Sequence, residues 1–478
     1  MAVLAAGFTF AGCDVVEDVT PKQSVTPDQA LNSVEGYEAL LVSGYDALQA
    51  QDYYGQQFML VPDALADNLD VPIETSNRYP GFTTNAIGSH LNRWGGHYNT
   101  INEMNLILSR IGDLEIQAAN AEAVRSRITG EAYFLRAINY FDLVRAKGYE
   151  PGEEVNGFDL GVIIRTEPTT SVADADFRAR STVDEVYSLI ESDIAAALAA
   201  FGSAESRSRP VNFGSLAATQ ALKARVNLYQ SDWDDAEAAA SAALAATSAT
   251  LVTDSTALIA ANLAPSNPES IFEIQMTVGT DGAVTNANAS LQSLTDPFRG
   301  GFFDAVVTPQ LVAAHEDGDN RLGLYDQATV SGEDITYILK YQGAVGQDVD
   351  PIPVFRTAEM YLILAEARLN QGNVSGAEDA LNTVRNARGL DDFDNDDDAA
   401  TANSNAEIYD AIVRERRVEL AFEGHRFFDL KRLGRDIPKP QIGGGTVIPY
   451  TNFRILAQIP EGEVSNNSLL VQNPGYGD

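Results

Sequence analysis

The chain has 478 residues, an apolar content of 45% that is ample for a large core, and 68 acidic against 32 basic residues, a formal net charge of −36. That charge excludes nucleic acid as a partner, because binding it requires basic surface to displace phosphate counterions. A single cysteine, Cys13, excludes an internal disulfide. Only Lys22, Lys147, Lys223, Lys340, Lys431 and Lys439 are lysines. Surplus carboxylate with scarce lysine is the pattern of a protein screened by concentrated salt, so a halophilic habitat is expected.

The chain opens M-A-V-L-A-A-G-F-T-F-A-G-C, a short apolar stretch closing on small residues before Cys13. It resembles a bacterial lipoprotein signal peptide, in which the cysteine receives the lipid and becomes the mature N-terminus. Residues 14–29 are polar and proline-bearing, as a tether would be. No later stretch has the roughly 20 apolar residues of a membrane span.

Residues 52–89 show no helical periodicity and carry Tyr53, Tyr54, Asp67, Asn68, Arg78, Tyr79 and Phe82, with Trp94 just beyond. Over 131–147, Tyr133, Phe134, Ala137, Tyr140, Phe141 and Val144 fall on one helical face. Its partner is expected over 183–198, opened by Ser181 or Thr182 with Glu185 completing a capping box. A Pro- and Gly-bearing insertion, 149–180, separates the two.

An internal repeat follows. A-R-V-N-L-Y-Q-S-D-W-D-D-A from Ala224 and A-E-A-R-L-N-Q-G-N-V-S-G-A from Ala365 each read as a helix, a two-residue polar turn (Ser231-Asp232, Gly372-Asn373) and an alanine-rich second helix. Small residues there let antiparallel helices approach closely, the tetratricopeptide pattern. Since two hairpins cannot bury a solenoid core, further ones are expected. Trp233, in the first turn, reads as hairpin packing. Segments 262–299 and 436–478 lack periodicity, and F-R-G-G-F-F places Phe298, Phe302 and Phe303 around two glycines. Loops this long in an ordered domain are usually functional. With no Ser/Gly linker between repeats and loops, the chain reads as one large, mainly helical domain carrying an irregular lobe.

Catalytic and metal motifs are poorly represented. His90, His97, His315 and His425 have no histidine three or four residues away, and H-E-D-G-D at His315 puts Asp319 where a zincin needs its second histidine. The acidic run 391–398 alternates Asp392, Asp394 and Asp396 like a calcium loop but lacks its glycine and its terminal glutamate, so a solvated loop is expected. No nucleophile elbow or phosphate loop occurs, and no motif singles out a carboxylate pair. The run Arg414, Glu415, Arg416, Arg417, Glu419, Glu423, Arg426, Asp429, Arg432 suits ion pairs along and between helices, for example Glu415 and Glu419 near Arg416 and Arg426.

Several strings resemble one family in order along the chain. They are W-G-G-H-Y-N-T-I-N-E-M-N-L-I-L from Trp94, G-E-A-Y-F-L-R-A-I-N-Y-F-D-L-V-R-A-K-G from Gly130, A-A-T-Q-A-L-K-A-R-V-N-L-Y from Ala217, E-S-I-F-E-I from Glu269, the Asp319–Arg321 turn, and the block from Arg356 to Arg432. Together they resemble the SusD/RagB family of outer-membrane nutrient-binding lipoproteins. The resemblance implies a leader over 1–13, a tether over 14–29 and one domain over 30–478, with an N-terminal part 30–300 and a C-terminal core 301–478. It further implies a surface-exposed, lipid-anchored, cofactor-free and metal-free binder that is not an enzyme and works with a SusC-like TonB-dependent transporter. Its ligand would be an oligosaccharide or, in the alternative, a peptide; a secreted glycoside hydrolase or a protein-interaction scaffold are the rival readings.

Aromatics are the functional lead, because a sugar ring stacks its apolar face on a phenol or indole while its hydroxyls need polar neighbours. The resemblance places the ligand groove in two regions, before the Trp94 helix and after the E-S-I-F-E-I strand. The candidate set is therefore Tyr53, Tyr54, Asp67, Asn68, Arg78, Tyr79, Phe82, Trp94, Phe298, Phe302 and Phe303.

Overall fold

Both copies of the repeat turn at the same backbone geometry. In the computed structural model, Ser231 and Gly372 each adopt a left-handed conformation (φ 56° and 80°). The N–H groups of Asp232 and Asn373 then reach back to the carbonyls of Asn227 and Arg368, both at 2.9 Å, satisfying the helix C-terminus. The side chains of Asp232 and Asn373 accept from the third residue onward and so cap the next helix. The structure describes residues 31–72, 76, 78–86, 88, 90–171, 176–278, 290–393 and 404–477; Cys13, the 14–29 tether and most of the acidic run, 394–398, lie outside them.

The principal helices are α1 (Val34–Leu48), α2 (Gln57–Leu65), α3 (Trp94–Arg110), α4 (Ala121–Lys147), α5 (Val183–Phe201), α6 (Leu216–Gln230), α7 (Trp233–Ala246), α8 (Thr357–Asn370), α9 (Val374–Ala387), α10 (Asn405–Glu419) and α11 (Arg426–Arg432). From α3 to α9 each packs on the next, and α10 closes against α8, so the expected further hairpins exist and the fold is a tetratricopeptide-like helical stack. The capping box forms at Thr182 and Glu185 as its sequence signature requires. Alanines at the interfaces, such as Ala221, Ala224, Ala236, Ala240 and Ala365, are fully buried. No described helix is long and apolar enough to cross a membrane.

One expectation fails here: the segment 52–89 is not wholly irregular, because α2 forms inside it. Every residue of α2 from Phe58 to Leu65 is buried, Pro62 included. A helix of nine residues with a proline inside it is too short and too interrupted for a 3.6-residue period to register.

Helix α7 packs on α8 across more than a hundred residues of intervening chain. That excursion is closed by β2 (Ser270–Ile274) pairing antiparallel with β6 (Ile352–Arg356), which hands directly into α8. Inside it, β3 (Val306–Val307) pairs with β1 (Leu69–Asp70), joining the excursion to the first irregular segment. β4 (Tyr325–Val330) and β5 (Glu333–Ile338) form a hairpin through Ser331 and Gly332, both at positive φ.

The charged run is structural: Arg432 and Arg416 both pair with Asp429 inside it, along and between helices as its spacing suggests, while the other partners differ. Glu415 and Glu419 do not pair with Arg416 or Arg426 on their own stretch. Instead, Glu419 receives Arg388, Arg356 and Arg321 at 2.8–3.1 Å, and Arg321 also reaches Glu415. Arg416 turns to Asp429 and Arg426 to Asp67. Spacing along one helix identifies a charged face but not the elements that will meet it.

Lys147, Lys340, Lys431 and Lys439 are buried. Lys439 donates to the Ala64, Leu65 and Ala66 carbonyls at the end of α2, Lys431 to the Arg145 and Gly148 carbonyls at the end of α4, and Lys340 to the Glu419 and Ala421 carbonyls at the end of α10. Each satisfies orphan carbonyls and opposes the negative end of the helix dipole. Among the described residues Arg209 is the one exposed lysine or arginine; the others are buried or half-buried.

Candidate functional site

The β1–β3 pair brings the two candidate regions side by side. Asn68 O accepts the Thr308 N–H at 3.0 Å, the Asp67 carbonyl accepts the Thr308 hydroxyl at 2.7 Å, and the Ser76 N–H donates to Asp304 at 2.6 Å. Above this seam the Arg78 guanidinium lies 3.5 Å from the centre of the Phe302 ring, the geometry of a cation–π contact.

The glycine pair explains how the F-R-G-G-F-F segment presents its rings. Gly300 takes φ 75°, and a Cβ on Gly301 would sit 2.5 Å from the Ser293 Cβ. Phe303 N–H then donates to the Ser293 carbonyl at 2.9 Å, fixing the segment on the short helix Leu291–Thr295. Arg299 is held by Asp348, whose Oδ1 also accepts from Ser290. Phe298 is left 73% exposed, with its ring edge-on to Tyr337 at 5.8 Å. The Tyr337 hydroxyl donates to Asp326 at 3.0 Å. Burial and the Asp326 carboxylate raise the Tyr337 pKa, so the phenol stays protonated and its polar end is fixed.

Several sequence candidates are placed elsewhere. Tyr53 and Tyr54 are buried and donate their hydroxyls to Asp142 inside the helical core. Trp94 is buried and packs on Tyr98. Asp67 is buried against Arg426 and Arg417, and Asn68 bridges Asp63 and Arg417. These five are structural, because each polar group is already used by a buried partner and each ring fills the core. Phe303 joins Val306, Ile335 and Tyr337 in a small second core under the hairpin. Tyr79 is buried edge-on against the half-buried Phe82 at 5.6 Å. What remains at the surface is Arg78, Phe82, Phe298 and Phe302.

Tyr337 and Asp326 join the site without having been candidates in the sequence. The V-S-G-E turn flanked by alternating residues signals the hairpin that carries them. The resulting face combines an exposed ring, a cation-covered ring and a carboxylate-anchored phenol. Such a face can stack the apolar side of a sugar ring and hydrogen-bond at its rim. Asp326 and Asp304 are each engaged by a hydroxyl donor, Tyr337 and Ser76, so both serve as positioning groups.

Comparison with known proteins gives consistent matches. The family described as "SusD family" matches residues 340–476, and that described as "Starch-binding associating with outer membrane" matches residues 25–228. SusD-like protein P38 of Formosa agariphila is 24% identical, over 97% of this chain and 96% of its own. A SusD superfamily protein of Bacteroides thetaiotaomicron superposes with a TM-score of 0.76 at 24% identity, covering 92% of this chain and all of that one. A SusD-like carbohydrate binding protein of Bacteroides vulgatus has a TM-score of 0.75 at 22% identity, covering 92% of this chain and 97% of its own.

Proposed function

We propose, from the premise that this chain belongs to the SusD/RagB family, that it is a carbohydrate-binding protein of the outer membrane which captures glycan on the face around Phe298 and Phe302. The observation that carries this reading is the Phe298 ring, 73% exposed on a glycine-shaped segment and backed by Tyr337. The exposed ring is not used by the core and, with the Tyr337 phenol beside it, supplies a stacking platform for a pyranose. Binding there is non-covalent and needs no catalytic group. The lipid anchor at Cys13, exposure at the cell surface and hand-over to a SusC-like TonB-dependent transporter belong to the same proposal; they follow from the family and the N-terminal sequence.

The experiment is affinity electrophoresis of the purified chain, in molar salt, through gels containing a panel of polysaccharides. Retardation by at least one polymer, lost in Phe298→Ala and in Phe302→Ala, is the expected result. Retardation unaffected by either substitution would move the site elsewhere, and retardation by no polymer, with binding of a peptide library instead, would replace glycan by peptide as the ligand.

A further inference from the structure

The two elements that carry the aromatic face are unequal in charge. Residues 290–303 and the hairpin residues 325–338 contain Asp296, Asp326, Glu333 and Asp334 against a single basic residue, Arg299. Arg299 is already matched, because its guanidinium makes two bonds to the buried Asp348 carboxylate.

Two of the carboxylates stand at the rings themselves. Asp296 accepts the Phe298 N–H at 2.8 Å with Oδ1, and its Oδ2 has no partner among the described residues. Asp326 is exposed; its Oδ2 accepts the Tyr337 hydroxyl at 3.0 Å and its Oδ1 the Gln327 N–H at 2.8 Å. Burial raises the Tyr337 pKa, and the charges of Asp326 and Asp296 raise it further, so both carboxylates lie near the phenol. The Phe298 ring meets that phenol edge-on at 5.8 Å, so a ligand stacked on Phe298 lies beside both.

The remaining cation of the face does not offset them. Arg78 lies over Phe302 and not over Phe298. Burial and Asp304 raise the Tyr79 pKa while Arg78 lowers it, so Arg78 has a carboxylate in its own neighbourhood.

A carboxylate oxygen only accepts hydrogen bonds. A sugar hydroxyl donates to it, whereas a uronate or sulfate group brings another acceptor and a like charge. One such group held a few ångströms away costs about tenfold in affinity. The general acidic excess of the chain acts more weakly, since charges beyond about 8 Å are largely screened at physiological salt.

We infer that Asp296 and Asp326 make the aromatic face selective for uncharged glycans and exclude chains that carry uronate or sulfate groups. The inference rests on the reading of the Phe298 face as the glycan site.

The test is affinity electrophoresis in about 0.15 M KCl, where contact charges are felt and distant ones are screened. The gels contain dextran, amylose, galactomannan or arabinoxylan, each beside its carboxymethyl derivative. At least one neutral polymer retards the wild type, and its carboxymethyl derivative binds about tenfold more weakly. Asp296→Asn and Asp326→Asn each narrow that ratio about threefold or more, and Asp296→Glu keeps it. Glu122→Gln, which removes the same charge from an exposed position on α4, leaves the ratio unchanged. A carboxymethyl polymer that binds as tightly as its neutral parent, with binding lost in Phe298→Ala, overturns the inference and leaves the reading of the face intact. A ratio that neither asparagine substitution moves overturns it likewise. Binding that survives Phe298→Ala, or retardation by no polymer, removes the face as the glycan site and the inference with it.

Discussion

Glu419 is the residue on which the buried charge cluster turns, and Glu419→Gln tests that role without changing shape. Its carboxylate accepts from Arg388 at 2.9 and 2.8 Å, from Arg356 at 2.9 Å and from Arg321 at 3.1 Å. Burial alone would lift this carboxyl, but Arg388, Arg356 and Arg321 together hold it well below the usual carboxylate range. A glutamine offers one acceptor oxygen and turns an NH₂ toward guanidinium donors. At least two charge-assisted hydrogen bonds are lost and one buried positive charge is left unmatched, at a cost of about 3–5 kcal/mol. The assay is urea unfolding followed by circular dichroism, with Glu316→Gln as control. Glu316 also pairs with two arginines, Arg385 and Arg414, but is 37% exposed, and losing it costs about 1 kcal/mol or less. Because the folded-state pKa of Glu419 is depressed, its contribution is present above pH 4.5 and is lost as pH falls through the folded value; the gap between wild type and Glu419→Gln therefore narrows in acid. If Glu419→Gln cost no more than the control at pH 7, the cluster would not hold α10 to the stack as described.

Four further outcomes are expected. Ser231→Gly raises stability by roughly 1 kcal/mol, since Ser231 sits at φ 56°, and Gly372→Ala lowers it by a similar amount although nothing lies within 4 Å of the added carbon; thermal melts read both. Phe298→Ala weakens capture about tenfold or more while leaving unfolding within about 0.5 kcal/mol of wild type, because the ring is mostly in solvent. Burial pushes the Asp63 carboxyl up to about 7, so the neutral acid is favoured in the fold and stability from this group falls as pH rises from 4 through 7. Lys147 and Lys439, lowered to about 7 by burial, act with the opposite sign, so the difference between wild type and Asp63→Asn across pH 5–8 is the quantity to measure. Melting temperature rises between 0.1 and 2 M KCl, since the surface carries a large acidic excess with Arg209 as the exposed basic residue among those described; a flat salt profile would reject the halophilic reading.

The helical stack was legible because local chemistry and tertiary packing agree there. Ser231-Asp232 and Gly372-Asn373 announce their turns, Thr182 with Glu185 announces a capped helix, and Phe134, Ala137, Tyr140, Phe141 and Val144 keep a helical period, although α4 is buried all round over 134–147 and Tyr133 is the residue left half-buried. Helix α2 was not legible, since it is only nine residues long and carries Pro62 inside it, too short and too interrupted for a period to register. For the candidate site, the structure joins the two expected regions through the β1–β3 pair and buries most of the individual residues. Tyr53, Tyr54 and Trp94 look identical to surface aromatics in one dimension; only the partner Asp142 and the neighbour Tyr98, distant in sequence or hidden within a helix, take them inside. Phe298 precedes Gly300, at positive φ, and Gly301, which packs against Ser293 where no side chain fits, and Tyr337 enters through a hairpin that turns at Ser331-Gly332. Burial is a property of the assembled lobe, so composition alone cannot sort these rings.

The most direct measurement of capture is amide hydrogen exchange on the purified chain, with and without the polysaccharide that retards it. Protection concentrated on residues 296–303 and on the β4–β5 hairpin around Tyr337 is the predicted result. Ligand-dependent protection confined to the helical stack, with residues 296–303 unchanged, would contradict capture at the aromatic face.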